Sequence, residues 1–231
     1  MPGRAPGESK TMADTTYAAK TDNYFENTRP EMQTYIPASA KRMLEVGCGN
    51  AAFAASVKRA RPMHVTAIEG YAPAAEAAQP RVDRLLAMPL EEALPLLAGE
   101  QFDCIVMNDV LEHLIDPWAA LKQLRPLLSP SGVVVASIPN IRYFEVFKQY
   151  FLEGQWKYQR DGVMDRTHLR FFTRKSMVDL FEDSGYTMQS IVGINGMSGF
   201  PFKFAVLNWL MRNALDDARF IQFACVAKAR A

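Results

Sequence analysis

From Arg42 onward the chain alternates short β-branched or apolar runs with Ala- and Leu-rich segments at helical spacing, and this alternation leaves few folds open. Continuous apolar runs suit strands buried on both faces, and parallel neighbours need crossover helices between them. The pattern predicts strand one at Arg42–Val46, a helix over 51–60 ending before Pro62, strand two over 64–69 and a helical stretch over 73–78. A weaker third strand follows over 82–87, then a helical 90–97, strand four over Phe102–Asn108 and a helix opened by Pro117 that reaches Leu128. SPSG at 129–132 reads as a turn into strand five over 133–138.

After Pro139 the regularity lapses over 140–173, where the acceptor is expected. A helix resumes over 174–184, closed by Gly185. Strands six (186–194) and seven (220–227) flank an apolar insertion, and a final antiparallel strand completes a seven-stranded, mostly parallel Rossmann-like α/β sheet with helices on both faces. The length of 231 residues fits one domain over 21–231, with a cap at 21–40 and insertions at 140–173 and 195–217, behind a disordered tail at 1–20. A formal charge of +1 gives no pull toward nucleic acid. The start of the chain lacks the apolar core of a secretory signal, and FPFKFAVLNWLM, interrupted by Lys203, is too short to cross a bilayer. It reads as a lid or an oligomer surface, such as that of a homodimer, and its apolarity is compatible with a lipid-linked acceptor. Cys48, Cys104 and Cys225 lack metal-type spacing and read as buried free thiols in a reducing, cytoplasmic setting.

EVGCGNAAF joins strand one to its helix, and such a glycine turn lets a ligand approach backbone N–H groups at a helix N-terminus. Gly47, Gly49 and Ala52 also satisfy the dinucleotide form G-x-G-x-x-A, with Glu69 where a ribose would be held. Spacing alone therefore leaves two cofactors open. Glu45 favours S-adenosylmethionine over NAD, because a carboxylate inside the end of strand one needs a donor that the methionine ammonium supplies.

Taken together, EVGCGN, the acidic Glu69 and FDCIVMNDVLEHLIDP resemble the class I S-adenosylmethionine-dependent methyltransferases over roughly residues 24–228. The resemblance implies that Glu45, Gly47, Cys48 and Gly49 pack against the methionine part and that Glu69, with Gly70 and Tyr71, holds the ribose. It also implies that Asn108, Asp109 and Val110 lie close to the sulfonium. Two positions depart from the family pattern: Ala51 replaces the third glycine, and Met88 stands after strand three where an Asp often faces the adenine.

SIPNIRYFEVF and DRTHLRFFT resemble a narrower group, bacterial methyltransferases of polysaccharide and other glycan pathways, and YFENTRPEMQTYIP resembles their N-terminal cap. This implies a sugar hydroxyl as acceptor, met by Arg29, Asn140, Arg142, Tyr143, Arg166 and Arg170. Methyl transfer is an in-line displacement in which positioning carries much of the rate, and a base is needed because a hydroxyl holds its proton. His168, flanked by Asp165, is the first candidate base and His113 the second. Asp109, Glu112 and His113 form D-x-x-E-H, which resembles the E-x-x-E-H metal site of ubiquinone-pathway and small-RNA O-methyltransferases. With His168 these residues form a candidate site for Mg²⁺ or a similar divalent ion. Two further readings stay open: an N- or O-methyltransferase of a small aromatic metabolite, and a non-catalytic cofactor-binding partner subunit.

Overall fold

The computed structural model describes residues 27–230. The tail expected at 1–20 lies outside them. In chain order the elements are α1 (Pro30–Gln33), β1 (Arg42–Val46), α2 (Ala52–Ala60), β2 (His64–Ile68), α3 (Ala72–Ala78), β3 (Arg84–Leu86) and α4 (Leu90–Ala93). Then come β4 (Phe102–Asn108), α5 (Pro117–Leu124), β5 (Leu128–Pro139), α6 (Phe144–Phe151), α7 (Arg174–Asp183), β6 (Tyr186–Gly196), α8 (Phe202–Leu210) and β7 (Phe220–Ala229).

The strands form one seven-stranded sheet in the order β3-β2-β1-β4-β5-β7-β6. β1 to β5 pair in parallel, and β7 runs antiparallel to both of its neighbours. Strand order reverses between β1 and β4, so the loops leaving their C-terminal ends diverge and open a crevice, the usual ligand seat of such sheets.

Side-chain alternation divides the core in two. Met43, Val65, Cys104, Val106 and Ala224 pack on Phe53 and Val57 of α2 and on Met32 and Ile36 of the N-terminal segment. Leu44, Val46, Ile105, Met107 and Phe223 pack on Leu121 and Leu124 of α5 and on Met177, Leu180 and Phe181 of α7. Each such fully buried large side chain contributes about 1.5–3 kcal/mol. Glu45 pairs in register with Val106 and so shares the α2 face. The three cysteines are free thiols, all buried.

The elements depart from the sequence-based expectation where proline or sterics intervene. The helix expected over 90–97 becomes α4 followed by a 3₁₀ turn at Leu94–Leu97, and the helix expected to reach Leu128 gives way after Leu124 to a 3₁₀ turn at Arg125–Leu127. Pro95 and Pro126 lack the N–H that the α pattern would use. SPSG is not a turn between elements but part of β5, which bulges so that Phe102 pairs with Leu128 and Cys104 with Val133. Gly132 is required there, since a Cβ would lie 2.7 Å from the Phe102 carbonyl oxygen. The segment expected to be irregular contains α6, whose Phe144, Phe147 and Phe151 follow helical spacing within a run dense in aromatics. α7 forms as expected, with a capping box between Thr173 and Ser176 and Gly185 at φ 86° behind it.

Candidate active site

Three residues of the turn between β1 and α2 have left-handed backbone: Gly47 (φ 66°), Gly49 (φ 56°) and Ala51 (φ 59°). Two are glycines, which adopt it freely, whereas Ala51 is strained. A Cβ on Gly47 would lie 2.8 Å from Val110 Cγ2, so the loops after β1 and β4 meet there. The Gly49 N–H donates to Glu69 Oε2 (2.7 Å) and the Tyr71 N–H to Glu69 Oε1 (2.8 Å), which ties the β1 turn to the β2 turn. Burial raises the Glu69 carboxyl above its ordinary range, and the N–H donors oppose that shift. Gly70 lies against the Met88–Pro89 backbone, which brings Met88 to the same rim.

Glu45 is buried at the end of β1. Burial pushes its carboxyl up to about 8, opposed by the Ala54 N–H and reinforced by Glu69. Its Oε2 has no hydrogen-bond partner among the described residues, and neither has the side-chain amide of Asn108 at the end of β4. A buried polar atom left without a partner costs about 1–3 kcal/mol. The Cys48 thiol is raised by burial and then by Glu45 and Glu69.

Asp109 is different. It has φ 54°, its Oδ2 pairs with Arg29 Nη1, and its Oδ1 accepts from Gln222 Nε2 and from the Ser137 hydroxyl at 3.1 Å. Arg29 is itself buried, with Nε on Glu31 (2.7 Å) and Nη2 on Gln222 Oε1 (3.1 Å), and Asn195 Nδ2 donates to the same Gln222 oxygen at 3.0 Å. Burial would lower the guanidinium pKa, but Asp109 and Glu31 raise it, so Arg29 stays charged.

Beyond Val110, a 3₁₀ turn (Leu111–His113) carries Glu112 and His113 to the loop at 165–170. The Glu112 carbonyl accepts the Leu169 and Arg170 N–H groups at 2.8 and 3.0 Å, and Asp165 Oδ1 accepts the Thr167 N–H and hydroxyl at 2.8 and 2.7 Å. His168 Nδ1 lies 3.0 Å from the Val163 carbonyl and His113 Nδ1 3.2 Å from the Thr167 carbonyl. A carbonyl only accepts, so His168 Nδ1 donates to Val163 and its Nε2 turns toward Glu112, while His113 Nδ1 also lies 3.2 Å from the Thr167 hydroxyl. His168 Nε2 stands 3.9 Å from Glu112 Oε1, and the two imidazoles meet edge-on at 4.8 Å. One ligand atom from each of Glu112, His113 and His168 fits within 4.8 Å of the others. Asp109, expected in this set, is not in it, because Arg29, Gln222 and Ser137 hold its carboxylate.

The residues expected around the acceptor divide. Asn140 is fully buried and works on the backbone: its Nδ2 donates to the Asp217 and Phe220 carbonyls (2.9 and 3.0 Å), and its Oδ1 accepts the Arg142 N–H. The Arg142 guanidinium binds the Ala214 carbonyl and Asp217, so both residues anchor the insertion that carries α8. Tyr143 packs with Val146, Val163 and Met164, Arg170 holds the Ile115 carbonyl, and Arg166 is exposed. Sequence reasoning missed Ser137, Thr167, Asn195 and Gln222. The one available signal was Gln222, a lone amide in an otherwise apolar strand.

A seven-stranded sheet with this order, a glycine turn after β1 and an acid after β2 define the class I S-adenosylmethionine-dependent methyltransferase fold. The family described as "Methyltransferase domain" matches residues 17–191, and the chain belongs to it. It is 30% identical over 161 residues to a ubiquinone biosynthesis O-methyltransferase of Dinoroseobacter shibae, a match covering 67% of this chain and 63% of that protein. The chain thus spans less than two thirds of the length of the curated relatives it matches. Among solved structures, a chain of the complex between the Haloferax volcanii Trm112 methyltransferase activator and a methyltransferase superposes with a TM-score of 0.67 at 13% identity, covering 97% of this chain and all of that one. A SAM-dependent methyltransferase of Archaeoglobus fulgidus superposes with a TM-score of 0.61 at 16% identity, covering 86% of this chain and 91% of that one. These likenesses concern the fold.

Proposed function

We propose that the chain transfers the methyl group of S-adenosylmethionine to a hydroxyl oxygen held beside His168. The observation that carries this reading is one loop with two contacts: Val110 reaches the Gly47 turn, and two residues later Glu112 and His113 stand against His168. Donor and acceptor ends of the reaction are then spanned by six residues, Asn108 to His113.

The sulfur–methyl bond breaks as the oxygen–methyl bond forms, S-adenosylhomocysteine leaves, and the hydroxyl proton passes to His168 Nε2. Val163 fixes that tautomer, and the Glu112 carboxylate steadies the imidazolium that results. A positioned base contributes roughly 10²- to 10⁴-fold. The same donor set fits a divalent ion: Glu112 and the Nε2 atoms of His113 and His168 would hold it, each imidazole oriented through Nδ1 on a carbonyl. Such an ion, when bound, lowers the pKa of an acceptor hydroxyl.

The acceptor reading follows the relatives, named O-methyltransferases of ubiquinone biosynthesis, and favours a phenolic or vicinal hydroxyl. A sugar hydroxyl of a glycan is the second reading, supported by the likeness of DRTHLRFFT to glycan-pathway enzymes and by Trp156 and Phe171, whose rings could stack on a sugar face.

His168→Ala should lower kcat by about 10² or more while S-adenosylhomocysteine affinity stays within about twofold. Activity in the presence of a chelator separates the two roles of His168. Retention assigns it as the base, and loss with recovery on adding Mg²⁺ or Mn²⁺ assigns it as a ligand. An unchanged kcat in the variant contradicts both.

A further inference from the structure

α8 is built inside out. A helix on a soluble protein normally buries its apolar stripe and exposes its polar one. Here the buried positions are Phe204 and Asn208, while Phe202 (82% exposed), Trp209 (71%) and Leu210 (65%) face outward. Asn208 is buried because it fixes the returning chain, with Nδ2 on Asp216 (2.7 Å) and Oδ1 accepting the Leu215 N–H (2.9 Å). Phe204 and this polar seam hold the helix down, and its other large apolar residues are exposed.

The patch extends onto α6. Phe204 meets Phe144 and Phe147, and Phe147 stacks on Phe151, which is itself exposed beside Leu152. Between Met197 and Leu215 the only charged residues are Lys203 and Arg212. The α8 surface is thus apolar and aromatic with two cations, and at the end of α6 the acid Glu153 is paired with Lys148. Nine residues of helix are too short to cross a bilayer but long enough to lie in its interface.

We infer that α8 and the C-terminal end of α6 dock onto the headgroup region of an anionic lipid bilayer. Charge decides between this occupant and a second copy of the chain: a two-fold interface would set α8, with Lys203 and Arg212, against itself, whereas anionic headgroups complement those cations. The patch also leads to the site. Tyr150 meets Trp156, Trp156 meets Phe171 and Phe171 meets His168, with ring centroids 5.9, 5.5 and 6.3 Å apart. This deepens the proposed function, on which it rests for the acceptor, to a membrane-associated amphiphile whose hydroxyl reaches His168 from the lipid surface. Docking itself needs neither cofactor nor turnover, so the two readings can fail separately.

The test is sedimentation of the full chain with vesicles of phosphatidylcholine alone and of phosphatidylcholine mixed with phosphatidylglycerol. The chain should bind the mixed vesicles about tenfold or more tightly than the neutral ones. The triple variant Phe202→Ser, Trp209→Ser, Leu210→Ser should stay in the supernatant with an unchanged Tm and unchanged S-adenosylhomocysteine binding. Lys203→Glu with Arg212→Glu should erase the preference for anionic lipid. Wild-type chain that stays in the supernatant with both vesicle types overturns the inference. So does a dimer, seen by light scattering, that the triple variant converts to monomer, or Trp209 already shielded from acrylamide without vesicles, which would mean that another part of the chain covers the patch.

Discussion

Two carboxylates stand at the ends of the adjacent central strands, and the structure treats them in opposite ways. Asp109, after β4, is met by a guanidinium, an amide and a hydroxyl. Glu45, at the end of β1, is more deeply buried, and one of its oxygens has no partner among the described residues. The first is architecture: Asp109 and Arg29 fasten the N-terminal segment, the β4 loop and the β6–β7 hairpin at one point, through Gln222 and Asn195. The second is a buried carboxyl that the proposed function pairs with the ammonium of S-adenosylmethionine. Asp109 is a charge compensated within the fold, whereas burial holds Glu45 toward its protonated form.

The largest expected effect follows from Glu45. Its folded carboxyl titrates at about 8 against an ordinary 4.5, so the fold favours the protonated form. Ionisation therefore costs stability as pH rises from about 4.5 towards about 8, on the order of a few kcal/mol in total. Thermal melts of the ligand-free chain should show that fall, and Glu45→Gln should flatten it. A wild-type profile that is flat or rising through this window breaks the comparison.

Next in size is Arg29→Ala, which strands Asp109 beside Gln222 and removes the fastening. A loss of about 2–3 kcal/mol is expected in urea unfolding, below the range for fully buried pairs because Asp109 keeps some solvent contact. A loss under about 0.5 kcal/mol would make the network ornamental. Smallest is Ala51→Gly. Relief of the left-handed strain at φ 59°, worth about 1–2 kcal/mol, is offset by loss of a buried methyl worth about 0.8 kcal/mol. Stability should rise by no more than about 1 kcal/mol, and a drop of 2 kcal/mol or more would mean that the methyl group, not the turn, dictates the residue there.

The comparison also marks what could be read in the chain. Glu45, the glycine turn and Glu69 are local: strand, turn and spacing place them within one βα unit and at the end of the next strand, and the structure keeps them there. The alternation of Met43 and Glu45 with Leu44 and Val46 even fixes which face Glu45 occupies. Asp109 was legible as a loop residue but not as a spent one, because its partners lie 80 and 113 residues away and no periodicity links them. The same distance hid the partners of Gln222, although a lone amide in an apolar strand marks the position itself. His168 and Glu112 could be paired in advance only through family likeness, since what joins them is the Glu112 carbonyl holding two N–H groups of a loop without regular structure. SPSG misled for a different reason: the residues that favour turns also permit a bulge.

The most direct test is calorimetry of S-adenosylhomocysteine binding near pH 7 in buffers of different ionisation enthalpy. If the ligand ammonium completes Glu45, binding ionises a carboxyl that is mostly protonated in the free protein, so a large fraction of one proton is released. The measured heat then varies with the buffer, affinity rises with pH up to about 8, and Glu45→Gln abolishes both effects. Binding with no proton release, or no binding of S-adenosylhomocysteine while NAD binds, would contradict the account.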